Sequence, residues 1–410
     1  LATTRTDFDR ELRDLETEFD SRKPVLELAV RDPDDGCEGY VVVWNVPAAG
    51  DPALRFGKGG TRILPTLVFE DIRDLARRMA LKNAAAGLPI GGAKSGLRAD
   101  PAAPAFERQY RRFVRQAKPF LAEFGGPFGG FGLDVGADPA HAEWVLAELG
   151  TARSFTGKSV ELGGSDYDNE GIAGLGVAVA ADTLLREMGE DPRRATFAVQ
   201  GLGAMGAAVV RYFAERGGRL AAVSDPRVGG SWKLREAGRA DLVAMIGRRD
   251  IGGVHAMLPE VAERIDEDSD RVLFAEVGVL FPCALQGVIT AKNVDAVRAR
   301  VLVEGANGPC EPAAHEKLHE RGVAIVPDII ANPGGIIAAF VEMTADDGAR
   351  ARNPRTREIV ERAKRETEAR IPGNVREMHG ISQGFGVSGA RAGRYLAYRR
   401  VLDGAGATAR

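Results

Sequence analysis

The chain has 410 residues, 44% of them hydrophobic, and a formal net charge of −3. That length passes the ~250–300 residues at which a single core stops growing, so two domains are expected. A charge balance this even argues against nucleic acid or a membrane surface as the main partner, and no run approaches the ~20 uninterrupted apolar residues of a spanning helix.

The first twenty residues are charged and amphipathic, with Phe8, Leu12, Leu15 and Phe19 at helical intervals, and lack an apolar core of signal-peptide length. The absence of Met at position 1 suggests processing or trimming. The three cysteines (Cys37, Cys283, Cys310) are scattered and without metal spacing; they read as buried small apolar residues in a reducing, cytoplasmic compartment. The five histidines form no cluster, so no metal is expected. His315 and His319, four apart in a charged run, read as a solvated helix face.

Up to about residue 150, short strands at 25–30 and 40–46 mix with helices. A helix is expected over 70–86, its apolar stripe running through Ile72, Leu75, Ala76 and Met79 to Lys82. A lysine on a buried face needs a carboxylate, from a substrate or from the protein. From 151 to 332 the texture alternates. Strands are expected at 194–200, 220–224, 253–257, 273–279, 301–304 and 323–327, with a helix at 207–216. Strands separated by helices imply a doubly wound parallel sheet. The tail from 336 to 410 reads as helical, interrupted near 371–389, and is expected to pack on the first domain. The expected class is therefore α/β with two domains separated by a cleft. A substrate and oligomerisation domain (1–170, completed by 340–410) accompanies a Rossmann-type dinucleotide domain (171–339).

Two groups of residues carry chemistry. In the first, Lys58 lies between two glycines, Lys82 follows Leu81, Lys94 stands in a Gly-Gly-Ala-Lys-Ser-Gly run, and Asp134 lies in Gly132-Leu133-Asp134-Val135-Gly136. Of 55 basic residues only ten are Lys, yet lysine is kept at 58, 82 and 94. Arginine stays charged in proteins, whereas a desolvated lysine can alternate between acid and base. The second group is Gly201-Leu202-Gly203-Ala204-Met205-Gly206, which follows a strand, opens a helix and precedes an acidic strand end at Asp225. Gly201 allows the tight turn, Gly203 the approach of a pyrophosphate, and Gly206 close helix packing. Asp225 can accept both ribose hydroxyls and would repel a 2′-phosphate, favouring NAD. Arg227, two residues on, leaves NADP open.

With these motifs in place, the chain resembles the glutamate/leucine/phenylalanine/valine dehydrogenases from about residue 57 to 343. Its lysine and aspartate spacing is similar to that of glutamate dehydrogenases. Further similar segments are Thr156-Gly157-Lys158, Gly163-Gly164-Ser165, the run 303–309 and the run 326–332. The resemblance implies that Lys94 activates the water that attacks the iminium, and that Asp134 shuttles a proton to and from the substrate nitrogen. It implies that Lys82 binds the α-carboxylate and that Lys58 reaches the far end of the substrate. Met79, Gly132, Ile336 and Ala339 would line the pocket. Asn332 would lie near the amino group and the nicotinamide ribose, and Ala204, Met205 and Asn307 would join the glycines and Asp225 at the cofactor. It implies reversible oxidative deamination of an L-amino acid to a 2-oxo acid and ammonia, by a hexamer or octamer. Positive charge from Lys82 and the iminium is expected to lower the Lys94 pKa.

The pattern departs from the glutamate enzymes at Ala339, where they place a serine, and at Ala173, where threonine is usual. Met79 is what the leucine enzymes carry. Lys58 occupies a site that is apolar in leucine and phenylalanine enzymes. Glutamate is the first expectation for substrate, and a leucine-like, larger or specialised side chain is an alternative. A non-catalytic dinucleotide-binding regulator is a reading from another class. A 2-hydroxy-acid dehydrogenase would need a His–acid pair, and none of the histidines sits in such a setting.

Overall fold

A computed structural model describes residues 4–34, 36–48, 50–345 and 356–404. The chain divides into two compact units, one of residues 10–167, 336–363 and 397–410, the other of residues 1–9, 168–335 and 364–396.

The first unit is built on a five-stranded sheet. Its strands are β1 (Leu26–Arg31), β2 (Glu38–Val43), β3 (Gly57–Lys58), β4 (Thr61–Ile63) and β5 (Gly91–Arg98). The order is β1-β2-β5-β3, and β4 also pairs with β5. β2 runs antiparallel to β1 and β5, while β3 and β4 run parallel to β5. Helices α1 (Arg5–Ser21), α2 (Phe69–Ala85), α3 (Phe106–Ala117) and α4 (His141–Leu149) accompany it. A Cβ at Gly92 would fall 2.0 Å from the Ala80 backbone nitrogen, so glycine there lets α2 lie directly on β5. On the other side, Val41, Val43, Ala93 and Leu97 pack with Phe106, Tyr110 and Phe113 of α3, each large side chain contributing about 1.5–3 kcal/mol by leaving water. A short parallel pair, β6 (Phe131–Gly132) and β7 (Phe155–Thr156), lies near Lys58 and fixes the backbone leading to Asp134.

The second unit carries a seven-stranded sheet in the order β11-β10-β9-β8-β12-β13-β14. The strands are β8 (Thr196–Gln200), β9 (Arg219–Asp225), β10 (Gly230–Leu234), β11 (Ala262–Asp266), β12 (Val279–Pro282), β13 (Val301–Val303) and β14 (Ala324–Val326). β9, β8, β12, β13 and β14 are parallel, and β10 and β11 form an antiparallel edge. Its helices are α5 (Ile172–Glu187), α6 (Ala204–Glu215), α7 (Arg239–Gly247), α8 (Ile251–Val261), α9 (Pro312–Glu320) and α10 (Asp328–Ala331). α11 (Gly334–Thr344) belongs almost wholly to the first unit, while α12 (Thr356–Phe385) and α13 (Gly389–Leu402) belong to the second from 364 to 396 and to the first outside those bounds. Because β9 and β12 lie on opposite sides of β8, the winding reverses at the carboxyl end of β8, where open α/β sheets bind ligands.

This is the expected two-domain α/β class, with differences in detail. The segment expected as a strand at 253–257 is helix α8. Asp250 caps it by accepting from the Gly253 N–H, and Val254, Leu258 and Val261 are its buried positions, spaced as on a helix. The strand expected at 273–279 begins only at Val279, since 269–274 form a 3-10 turn capped by Asp268. α12 runs unbroken through Pro372, held by buried Ile371 and Val375, and it is parted from α13 between Phe385 and Gly389. Other parts of the expected helical tail, 346–355 and 405–410, lie outside the described residues. Cys283 and Cys310 are buried, but Cys37 is partly exposed. Among the described residues no helix is long and apolar enough to cross a membrane.

Candidate active site

In the first unit, side-chain hydrogen bonds tie β4, β5 and β6 together. Thr61 is the joint: its hydroxyl meets Ser95 Oγ at 2.9 Å and accepts from the Gly132 N–H at 3.3 Å. Lys94, beside Ser95, is 4% exposed. Its Nζ donates to Gly59 O at 2.7 Å and forms an ion pair with Asp134 Oδ2. The other oxygen, Asp134 Oδ1, accepts from Arg62 Nη2 at 2.9 Å, Arg62 Nε at 3.2 Å and the Val135 N–H at 2.6 Å. Burial lowers the Lys94 pKa, Asp134 opposes the shift, and the Arg62 charge reinforces it. Burial would raise Asp134, but Lys94 and Arg62 outweigh it and hold the carboxyl below its usual range. The result is a base and an acid in contact, each tuned by the other.

Arg62 is the residue that sequence reasoning passed over. The neighbouring positive charge was expected from Lys82; the charge that acts on Lys94 is Arg62. In a chain with 45 arginines, position 62 carried no signal beyond its place in the Gly57–Arg62 run. Lys82 is half-buried, as are Leu75 and Met79, while the buried line of α2 passes through Ile72, Ala76, Ala80 and Asn83. The expected stripe was therefore one edge of the buried face. That edge runs beside the Lys58 segment: a Cβ at Gly59 would meet Met79 Cγ at 2.6 Å.

Lys58 is 1% exposed. Its Nζ donates to Gly130 O at 2.8 Å and to Phe131 O, and a Cβ at Gly132 would fall 3.4 Å from it. Burial pushes this amine well below its ordinary range; Glu342 opposes the shift, and Lys158 and Lys94 add to it. Glu342 itself is engaged by Lys158 Nζ at 3.0 Å and by the Gly157 and Ser165 N–H groups. It lies on α11 together with half-buried Ile336 and buried Ala339.

In the second unit, Gly201 takes φ +85° at the carboxyl end of β8, against Ala284 just beyond β12. A Cβ at Gly206 would lie 1.8 Å from Gly201 O. Gly203 opens α6 with no side-chain cap and with open space over its α-carbon, the arrangement that receives a phosphate. Asp225 accepts from the Leu202 N–H at 2.8 Å and from Arg227 Nε and Nη2 at 2.8 and 2.9 Å. Burial would raise its pKa, but Arg227 and the two backbone donors hold it below its usual range. Asn332 donates to Gly305 O at 3.0 Å and to Asn307 Oδ1 at 3.1 Å, while its buried Oδ1 has no partner. An uncapped helix start, open space at Gly203 and an orphaned amide oxygen fit a dinucleotide. A cavity of about 750 Å³ lined by Arg193, Arg219 and Arg239 lies at the amino end of β9, the wrong end of the sheet for that ligand.

Comparisons with known proteins identify the family. The family model described as glutamate/leucine/phenylalanine/valine dehydrogenase matches residues 163–392, and the corresponding dimerisation-domain model matches residues 24–150. The chain belongs to the glutamate/leucine/phenylalanine/valine dehydrogenase family. It is 35% identical over 355 residues to a glutamate dehydrogenase of Thermotoga maritima, covering 82% of this chain and 81% of the relative. It is 36% identical over 318 residues to an NADP(+)-dependent glutamate dehydrogenase of Pyrobaculum calidifontis, covering 74% and 72%. The hetero-hexameric glutamate dehydrogenase of Thermus thermophilus in its Leu-bound form superposes with a TM-score of 0.73 at 26% identity, covering 97% and 96%. The family member described here is an NAD(P)-dependent L-amino-acid dehydrogenase acting on a CH–NH2 bond.

Proposed function

We propose that the chain oxidatively deaminates L-glutamate, reversibly, with NAD. The observation that carries this reading is the buried Lys94–Asp134 pair, backed by Arg62. Oxidation at Cα needs a neutral substrate amine, so Asp134, held ionised, takes its proton first. Bound at the fingerprint, a nicotinamide supplies the acceptor for the electron pair that leaves Cα with its hydrogen. Lys94, its basicity reduced by burial, then takes a proton from water as the water adds to the iminium carbon. Collapse of the carbinolamine releases ammonia and the 2-oxo acid. In this reading Lys82 holds the α-carboxylate, Lys58 the distal carboxylate, and Met79, Gly132, Ile336 and Ala339 the walls. Gly201, Gly203, Ala204, Met205, Gly206, Asp225, Asn307 and Asn332 hold the dinucleotide. The choice of NAD rests on Asp225 at the ribose. In this reading the unit of residues 10–167, 336–363 and 397–410 would carry substrate and assembly, and the unit of 1–9, 168–335 and 364–396 the cofactor. The stretch 364–396 of the helical tail expected with the first domain thus goes with the second.

One observation favours a second substrate. Lys58 is already bound by two carbonyls, and burial disfavours its charge, which weakens its hold on a carboxylate. Gly132 and Ala339 leave room for a larger side chain. Ammonia-dependent NADH oxidation with a panel of 2-oxo acids decides. A specificity constant highest for 2-oxoglutarate supports glutamate, and one highest for a branched or aromatic 2-oxo acid replaces it. No turnover with any of them would favour the regulatory reading. We further infer a cytoplasmic homo-oligomer, a hexamer or octamer; a monomer by light scattering at micromolar concentration would contradict it.

A further inference from the structure

His315 does not belong to a solvated face. It rises from the first turns of α9 and places Nε2 2.8 Å from Glu304 Oε1, its side chain only 13% exposed. Glu304 directly follows β13 and is 1% exposed. Its second oxygen accepts from the Asp328 N–H at 3.0 Å. Cys310, held by a backbone bridge to Ile289, completes the group. The ligand atoms of Glu304, Cys310 and His315 all lie within 4.8 Å of one another.

We propose that Glu304, Cys310 and His315 form a binding site for a borderline-soft divalent cation of the zinc class. One sulfur, one imidazole nitrogen and one carboxylate oxygen are ligand types that zinc combines, at bond lengths of about 2.0–2.3 Å. A tetrahedral ion at those lengths holds its ligand atoms about 3.5 Å apart, so the His315–Glu304 contact opens slightly from 2.8 Å and any wider separation, none above 4.8 Å, closes onto the ion. Binding displaces the thiol proton to solvent and leaves a fourth position for water. It also sets a cation against Glu304, a buried carboxylate, and a buried charge is costly unless it is paired.

All three ligands come from one stretch, 304–315, and the loop inside it is the one that Asn332 grips at Gly305 and Asn307. The Gly308 N–H donates to Asp328 Oδ2 at 2.8 Å. A bound ion therefore staples both ends of the loop that carries Asn307. This link to the cofactor rests on the proposed role of Asn307, whereas the metal site stands independently of it.

The test is metal content and spectroscopy on the full chain, prepared in zinc-supplemented medium without a metal-binding tag. The expected result is a single zinc ion per chain. After chelation, cobalt(II) should restore the site with an intense thiolate-to-metal absorption band. Cys310→Ser should abolish that band, while Cys283→Ser keeps it. His315→Gln and Glu304→Gln should each weaken cobalt binding by about tenfold or more. Zinc should also raise the unfolding temperature of the wild-type chain. A chain that retains no zinc and gives no cobalt–thiolate band overturns the proposal, as does a band that survives in Cys310→Ser. These readouts need no amino-acid substrate, so they are decided separately from the deaminase reading.

Discussion

Lys94 and Lys58 are both buried lysines in one sheet, and they differ in what they face. Lys94 meets a carboxylate that has its own arginine. Among the described residues Lys58 donates to backbone carbonyls, and Glu342, the acid that acts on it, is already paired with Lys158. A carboxylate can receive and return a proton, so the Lys94 pair suits chemistry. Carbonyls can only accept hydrogen bonds, so Lys58 is a fixed donor whose charge depends on what enters beside it. Burial alone does not make a lysine catalytic; the partner decides.

The largest effect should come from breaking the first pair. Lys94→Ala should reduce deamination about 10²–10⁴-fold, the usual range for a lost acid–base group, while NAD binding measured by calorimetry persists. Retention of a tenth of the turnover would remove Lys94 from the chemistry. Lys58→Leu should sharpen the contrast. Losing a charge-assisted bond of about 1.5–3 kcal/mol should depress activity on glutamate about ten- to a hundredfold and raise it on leucine or methionine. Equal impairment of every substrate would mean that Lys58 supports the fold and that glutamate is the wrong assignment. Outside this sheet, Asp225→Ser should free Arg227 and raise the NADP-to-NAD ratio of kcat/KM by about tenfold, or ~1.4 kcal/mol; an unchanged ratio would take Asp225 away from the ribose. The smallest change is expected from Arg62→Leu. Arg62 lowers the Lys94 pKa, so its removal raises that pKa. Because deamination uses neutral Lys94, the rising limb of kcat against pH should move to higher pH. A profile that stays in place would leave Arg62 with a structural role only.

What the sequence made legible follows from how local the signal is. The fingerprint needs only a turn, a helix start and a strand end, all within 201–225: Gly201 turns left-handed, a Cβ at Gly206 would collide, and Gly203 leaves the helix start open. The strand at Thr196–Gln200 and the helix at Phe69–Ala85 are likewise written in contiguous periodicity. α8 was hidden because Gly252, Gly253 and Pro259 lower helix propensity, although Asp250 and the 254–258–261 spacing carried the opposite message. Arg62 with Asp134, and His315 with Glu304, are contacts made by the fold. The histidine was read against His319, its neighbour along the helix, when its partner lay eleven residues back, just past the end of a strand.

Asn83 sits beneath all of this, fully buried on α2. Its amide nitrogen donates to Lys58 O at 3.1 Å and to Gly91 O at 2.7 Å. One side chain thus sets the gauge between the segment bearing Lys58 and the strand bearing Lys94. Lengthening either segment would cost both bonds at once, so the interval between the two amines is not a quantity that drift can adjust by small steps. Under the proposed function, a change toward a longer or shorter substrate leaves that frame alone and recuts the proposed lining instead, at positions such as Met79, Gly132 and Ala339.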